Sequence, residues 1–299
     1  MKNIIEICQK LNCKFKENQE LKQYSSFRTG GNADLFVLAE NAEQCVEILK
    51  AAKIQNIPVH ILGKATNLLI SDSGVRGIVL KLESQKKFLR EGNLLKVWAG
   101  ESLSALCKFA AEESLSGLEF AYGIPGSVGG AVYMNAGAYG GEIKNCLKSV
   151  TFIDDDFNIK TLPAEDLDLS YRHSIFCGKN QLILEAVFEL ENGEKSQIIA
   201  AMDDVMQKRI DKQPLEFPSA GSTFKRPEGA FASALIDQCG LKGFRIGGAC
   251  VSPKHAGFIV NDKDGSCQDI LDLIAEVQKV VFEKTGYSLE TEVEFWGEK

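Results

Sequence analysis

The chain has 299 residues, of which 44% are hydrophobic, and a formal net charge of −7. That length implies two or three domains around a real core and excludes disorder. A net acidic balance argues against a protein that wraps nucleic acid or an anionic bilayer with its whole surface.

The nine cysteines are odd in number, none lies closer than five positions to the next, and the three histidines (His60, His173, His255) are scattered. Neither a disulfide framework nor a zinc site is expected, and a reducing cytoplasm is the expected location. Met1–Lys10 carries Glu6 inside its apolar stretch, unlike a signal peptide. The longest uncharged segment, Phe120–Gly141, holds seven glycines, Pro125 and Asn135, which suits close-packed loops better than a membrane-spanning helix.

In chain order, Asn41 reads as the N-cap of a helix with Cys45, Ile48, Leu49 and Ala52 on its apolar stripe. Strands follow at Val59–Leu62, Leu68–Ile70, Gly77–Leu82 and Leu94–Ala99, with Gly92-Asn93 as a turn. A helix is predicted at Ser102–Leu115, strands at Leu147–Ile153 and Leu182–Leu190, and a helix at Glu194–Ile210. Asp154-Asp155-Asp156 reads as a solvated turn. Four of the seven prolines fall at Pro214, Pro218, Pro227 and Pro253, so the character of the chain changes there. A long helix at Ser266–Thr285 and a last strand at Ser288–Trp296 complete the set. On that strand Glu290, Glu292 and Glu294 would share a face.

Three places could carry chemistry. Gly63-Lys64-Ala65-Thr66-Asn67 directly follows a strand, where small residues and backbone N–H groups can meet a phosphate; an ordinary turn is the alternative. It is neither a Walker loop nor G-x-G-x-x-G, so a Rossmann nicotinamide domain is disfavoured. The stretch from Gly123 through Gly126, Ser127, Gly129, Gly130 and Asn135 to Gly141 implies positive φ, close backbone approach or both. It suits a large phosphate-bearing cofactor, or two loops packed on each other. Thirdly, residues 205–255 carry eight basic and four acidic side chains, against the trend of the chain. There Lys212, Lys225 and Arg226 flank Ser219–Phe224, a plausible cradle for an anionic substrate. Taken alone, Arg172 in Tyr171-Arg172-His173-Ser174 reads as a surface ion-pair residue or as a clamp.

These segments together resemble the UDP-N-acetylenolpyruvoylglucosamine reductase family, the flavoenzymes that make UDP-N-acetylmuramic acid for bacterial peptidoglycan. The likeness runs from Tyr24 to Val293. It rests on G-I-P-G-S-V-G-G from Gly123, Y-R-x-S at Tyr171, K-Q-P from Lys212, A-G-S-T-F-K-R-P from Ala220 and H-A-G-F-I-V-N from His255.

The resemblance implies an α+β fold: a two-part FAD-binding module of the vanillyl-alcohol oxidase (PCMH) type and a C-terminal α+β substrate domain. The corresponding divisions are 1–82, with a tail strand at 293–299 returning to it, 83–211 and 212–292. It implies non-covalent FAD held by Gly63, Lys64, Ala65, Thr66, Asn67, Gly126, Ser127, Gly129, Gly130 and Asn135, with NADPH as co-substrate. Arg172 is similar to the family's substrate-orienting arginine, Ser222 to its proton donor and Glu292 to its catalytic acid; Lys212 and Arg226 would meet the UDP-sugar. No partner beyond these small molecules is implied, neither nucleic acid nor membrane, and the chain would act as a monomer. A flavin oxidase of the same fold and a non-catalytic nucleotide-sugar binding protein are the alternatives.

The chain departs from the family at Ala65 and Thr66, in a loop that usually reads G-x-G-S-N, and at His173, where Asp or Asn is common. It also lacks the segment that carries a substrate-covering tyrosine, and so resembles the shorter branch.

Overall fold

The computed structural model describes residues 1–298, which divide into two compact units. The larger comprises Met1–Glu17, Leu35–Lys64 and Gly77–Lys208; the smaller comprises Asn18–Asp34, Ala65–Arg76 and the chain from Arg209 onward. Each has its own apolar core.

The core of the larger unit is continuous from Ile4 to Met202, across the sequence position at residue 82. Helix Ala42–Ile54 starts where Asn41 Oδ1 accepts the Gln44 N–H at 3.0 Å, and its buried stripe is Cys45, Ile48, Leu49 and Ala52. Strand Val59–Leu62 pairs in parallel with Val75–Leu82, in a sheet of order Lys14–Glu20, Asn32–Ala39, Val75–Leu82, Val59–Leu62. A second sheet, wholly antiparallel, runs Ile159–Pro163, Leu147–Ile153, Leu182–Glu189, Leu94–Trp98, Phe88–Glu91. Helix Leu103–Glu112 contributes Leu103, Leu106, Cys107 and Ala110 to the same core. Between strands, Asp154 closes its turn by accepting the backbone N–H groups of Asp156 and Asn158 and pairing with Lys160 at 2.6 Å.

The smaller unit is built on helix Cys267–Thr285. A reciprocal capping box between Ser266 and Asp269 opens it, and Gly286, at φ 75°, closes it. Its inner face carries Ile270, Leu273, Ile274, Val277 and Val281, all buried, as the 3.6-residue period requires. A three-stranded sheet, Arg245–Ile246, Ala249–Val251 and Ile259–Asn261, belongs to the same unit. So does a parallel pair, in which Glu294–Trp296 lies beside Leu68–Ile70.

That pair corrects the last strand. It covers Glu294–Trp296 rather than Ser288–Trp296, so Glu290, Glu292 and Glu294 do not share one strand face. The reason is visible upstream, where residues 290–292 turn their backbone groups to another segment, through Lys225 N–H to Glu290 O and Glu292 N–H to Thr223 O.

Asn261 locks the smaller unit. Its buried amide donates to Phe27 O at 2.9 Å and Gly265 O at 3.1 Å, and accepts from Gly265 N at 2.6 Å. Asn261→Leu, similar in volume, strands those three backbone groups, so chemical denaturation is expected to show a loss of about 2–4 kcal/mol. A midpoint equal to wild type would show that the lock is dispensable.

Candidate active site

The smaller unit presents Ser222 on a segment clamped from both sides. Thr223, fully buried, donates its N–H to Gly257 O at 2.9 Å, and its hydroxyl accepts the Ile259 N–H at 3.1 Å. Its carbonyl accepts the Glu292 N–H at 2.8 Å. Isolated bridges join Ser222 to Phe258 and Phe224 to Thr291. The amide of Asn67 donates to Glu292 O at 2.9 Å, and Asn67 O accepts from Glu294 N at 3.0 Å. Three expected site residues, Asn67, Ser222 and Glu292, are thus brought to one place by backbone hydrogen bonds.

Gly221, at φ 79°, bends the chain just before Ser222. After it, Lys225 pairs with Glu290 at 3.3 Å, and the Arg226 guanidinium lies 4.6 Å from the centre of the exposed Phe231 ring. Lys212 is exposed at the end of helix Lys195–Lys212. His255 sits edge-on to Phe258 at 4.9 Å, accepts the Gly257 N–H on Nδ1, and is held below the usual histidine range by burial.

Arg172 lies in the larger unit, at the tip of a tight turn. Ser170 and His173 exchange backbone hydrogen bonds of 3.2 Å in both directions, and Arg172 takes φ 54°, a left-handed conformation that costs a non-glycine residue about 1–2 kcal/mol. Both terminal nitrogens of its guanidinium point at Gly137 O, each at a long 3.4 Å. His173 Nε2 lies 3.3 Å from Asp168. Asn135 is 1% exposed, and both of its amide hydrogens are spent within the protein, on Glu142 Oε2 at 2.7 Å and Ser170 O at 2.9 Å.

The glycine-rich stretch owes part of its composition to close approach. A Cβ on Gly129 would stand 3.0 Å from the Ala99 Cβ, and one on Gly63 would stand 2.7 Å from Ser127 Oγ, so the two loops fit face to face. Left-handed φ within the stretch falls on Asn135, Tyr139 and Gly140. Ser127 Oγ accepts the Gly130 N–H at 3.2 Å. Gly126 O accepts from Leu103 N.

Beside Gly63 stand two lysines. Lys81 Nζ donates to Gly63 O at 2.5 Å, and Lys64 Nζ to Ser102 Oγ at 2.8 Å. Burial pushes both ammonium groups below their ordinary range, Lys81 to about 8, with repulsion from Lys64 adding to its fall. Ala65 has φ 49° and is buried, so the loop carries an alanine where the backbone favours glycine. Desolvated cations beside small residues are the donor set that a pyrophosphate relieves, so these residues fit a dinucleotide such as FAD.

Lys81 and Thr223 carry no motif of their own. The signal for Lys81 was available, as a lysine inside the apolar run of Val75–Leu82. Thr223 was readable only as part of the hydroxyl-rich loop.

Residues 33–162 match the sequence profile of an FAD-binding domain, and residues 213–296 match that of the UDP-N-acetylenolpyruvoylglucosamine reductase C-terminal domain. The chain is 47% identical to UDP-N-acetylenolpyruvoylglucosamine reductase of Lachnoclostridium phytofermentans over 100% of this chain and 96% of that protein. It is 49% identical to the enzyme of the same name from Clostridium perfringens, over 93% of this chain and 91% of that one. Among solved structures, the crystal structure of UDP-N-acetylenolpyruvylglucosamine reductase from Thermus caldophilus superposes with a TM-score of 0.81 at 34% identity. It covers 95% of this chain and 99% of that one. Among the described residues no helix is long and apolar enough to cross a membrane.

Two tests follow from the phosphate-type loop. Ala65→Gly removes about 1–2 kcal/mol of left-handed strain while adding about 0.4–1 kcal/mol of unfolded-chain entropy. A net gain of between zero and about 1.6 kcal/mol in apoprotein stability is expected by urea denaturation, and a loss would show that Ala65 is not strained. For Lys81, the folded pKa of about 8 lies below the ordinary 10.5, so across that window unfolding takes up a proton at this group and its own contribution to stability rises with pH. Lys81→Met should make the slope of apoprotein Tm against pH less positive over that window; an unchanged slope would place the titration elsewhere.

Proposed function

Because this chain belongs to the UDP-N-acetylenolpyruvoylglucosamine reductase family, we propose that it reduces UDP-N-acetylglucosamine enolpyruvate to UDP-N-acetylmuramate with FAD and NADPH, a step of peptidoglycan precursor synthesis. The observation that carries this reading is the likeness over the whole chain, which takes in Arg172, the Ser222 segment and Glu292. FAD is the cofactor, and when bound it supplies the hydride that NADPH has furnished. The loops at Gly63–Asn67 and Gly126–Gly130 would hold it, and Lys64 and Lys81 would supply positive charge for its pyrophosphate. We keep 1–82 and 83–211 as the two halves of the FAD-binding module, and 212–292 as the substrate domain.

Addition of hydride to the terminal carbon of an enol ether leaves negative charge on the neighbouring carbon and its carboxylate. Arg172 meets that carboxylate. Its planar guanidinium can bind both oxygens, so charge is stabilised where it develops. The neighbouring carbon then needs a proton, which Ser222 Oγ delivers. A hydroxyl is a weak acid in water, but such a carbon is a strong base, and nearby cations favour the alkoxide. Glu292 assists that transfer or resupplies the proton. Lys212 and Arg226 bind the anionic nucleotide portion, and NADPH and the sugar nucleotide use one cleft in turn. The protein acts as a cytoplasmic monomer.

The test separates the half-reactions. In Ser222→Ala, flavin reduction by NADPH is expected near the wild-type rate, while reoxidation by the enolpyruvyl substrate slows by about 10²–10⁴-fold. Undiminished reoxidation would remove the serine from the mechanism. The wild-type protein decides the class: a yellow protein whose reduced form is reoxidised by the enol ether rather than by air is the reductase, rapid consumption of oxygen marks an oxidase, and a colourless protein marks a binding module.

A further inference from the structure

The turn that carries Arg172 is strained: closed by the reciprocal Ser170–His173 hydrogen bonds, it holds a non-glycine residue in left-handed backbone. Arg172 sits at φ 54°, and its guanidinium reaches Gly137 O only at 3.4 Å. Such backbone persists where surrounding contacts over-determine it, and one side chain in the same unit ties the turn to its surroundings.

Asn135 lies in the loop between helix Val128–Tyr133 and the Gly137–Ala138 / Gly141–Glu142 hairpin, at 1% exposure and φ 40°. Its Nδ2 donates to Ser170 O at 2.9 Å, the residue that opens the Arg172 turn, and to Glu142 Oε2 at 2.7 Å on the hairpin. Its Oδ1 accepts the Lys144 N–H at 2.9 Å. The orientation of the amide is forced, because a carboxylate and a carbonyl only accept while a backbone N–H only donates. One buried amide therefore ties the turn to the hairpin whose Gly137 carbonyl receives the guanidinium. Ser174 Oγ, donating to Tyr133 O at 2.7 Å, fastens the other side of the turn to the same region.

We propose that Asn135 is a positioning residue for Arg172: it fixes the backbone of the Ser170–His173 turn, and so the place where the guanidinium meets the substrate carboxylate, rather than binding the cofactor. The proposal rests on the role given to Arg172 above. Asparagine suits the place on two counts. It tolerates left-handed backbone better than most side chains, and it supplies two donors and an acceptor in one plane. Aspartate keeps the shape and the acceptor but loses both donors and meets Glu142 with like charge.

The test compares Asn135→Asp, Arg172→Ala and the combined variant in the FAD-loaded enzyme, reading FAD content by absorbance, flavin reduction by NADPH, and reoxidation by UDP-N-acetylglucosamine enolpyruvate. Asn135→Gly, compatible with φ 40°, serves as the second single variant should Asn135→Asp fail to fold. For Asn135→Asp, FAD content and flavin reduction within twofold of wild type are expected, with reoxidation slowed about 10- to 100-fold, the scale of a small misplacement. The combined variant should be no slower than Arg172→Ala alone, because a residue that acts through the arginine has nothing left to do without it. Losses that multiply, or a fall in FAD binding that matches the fall in rate, overturn the proposal. A wild-type rate in Arg172→Ala defeats the arginine's role, and this inference with it; a slow Arg172→Ala beside a wild-type Asn135→Asp defeats only this inference.

Discussion

Thr223 is the point on which the order of the Ser222 segment depends. Its N–H, its carbonyl and its hydroxyl are each bonded to a different residue, Gly257, Glu292 and Ile259, and none of its surface is exposed. A serine on a free loop would sweep through many rotamers and backbone states. With its neighbour bonded on three sides, Ser222 has little backbone freedom left, and in the mechanism proposed above that preorganisation is a source of rate. Glu292 is fixed by the same residue, and Asn67 fixes Glu292 again from its carbonyl side.

The larger unit solves the same problem with strained backbone rather than extended pairing. Asn135, Tyr139 and Arg172 all adopt left-handed φ within one cluster of loops. Such conformations persist only where surrounding contacts over-determine them. Here those contacts are a reciprocal turn, a buried amide and a serine bonded to the end of a helix. Ala65 shows the same economy in the loop after Val59–Leu62.

Much of this was legible in the sequence, because the relevant signals are local. Asn41, Ser266 and Gly286 punctuate helices by hydrogen-bonding or by conformation, and the apolar periods between punctuation marks gave Ala42–Ile54, Leu103–Glu112 and Cys267–Thr285 to within a few residues. Strand Lys14–Glu20 was not legible, since Lys-Phe-Lys-Glu-Asn-Gln-Glu has no apolar alternation and buries only Gln19; its strand character comes from its place in the sheet. The end of the chain misled for the opposite reason. Leu289 to Trp296 alternates well, but Glu290 and Glu292 direct their backbone groups to Lys225 and Thr223. At the site, the cations flanking Ser219–Phe224 single out that loop, and Ser222 within it is singled out by the family resemblance. The contacts of Asn135 could not, because its partners at 142, 144 and 170 are joined only by the fold.

The cysteines lead to a practical end. All nine are free, and eight are buried; burial drives the thiols of Cys8, Cys45, Cys146 and Cys267 to about 12 and pushes that of Cys107 up as well, so little nucleophilic thiolate exists there. Cys177 alone is partly accessible, and its Sγ hangs from Tyr133 O at 3.3 Å, the same carbonyl that anchors Ser174. A fluorophore or spin label directed at thiols would therefore settle on one native atom, five residues along the chain from Arg172. The unaltered protein thus carries its own attachment point for watching that arginine's turn respond to ligands.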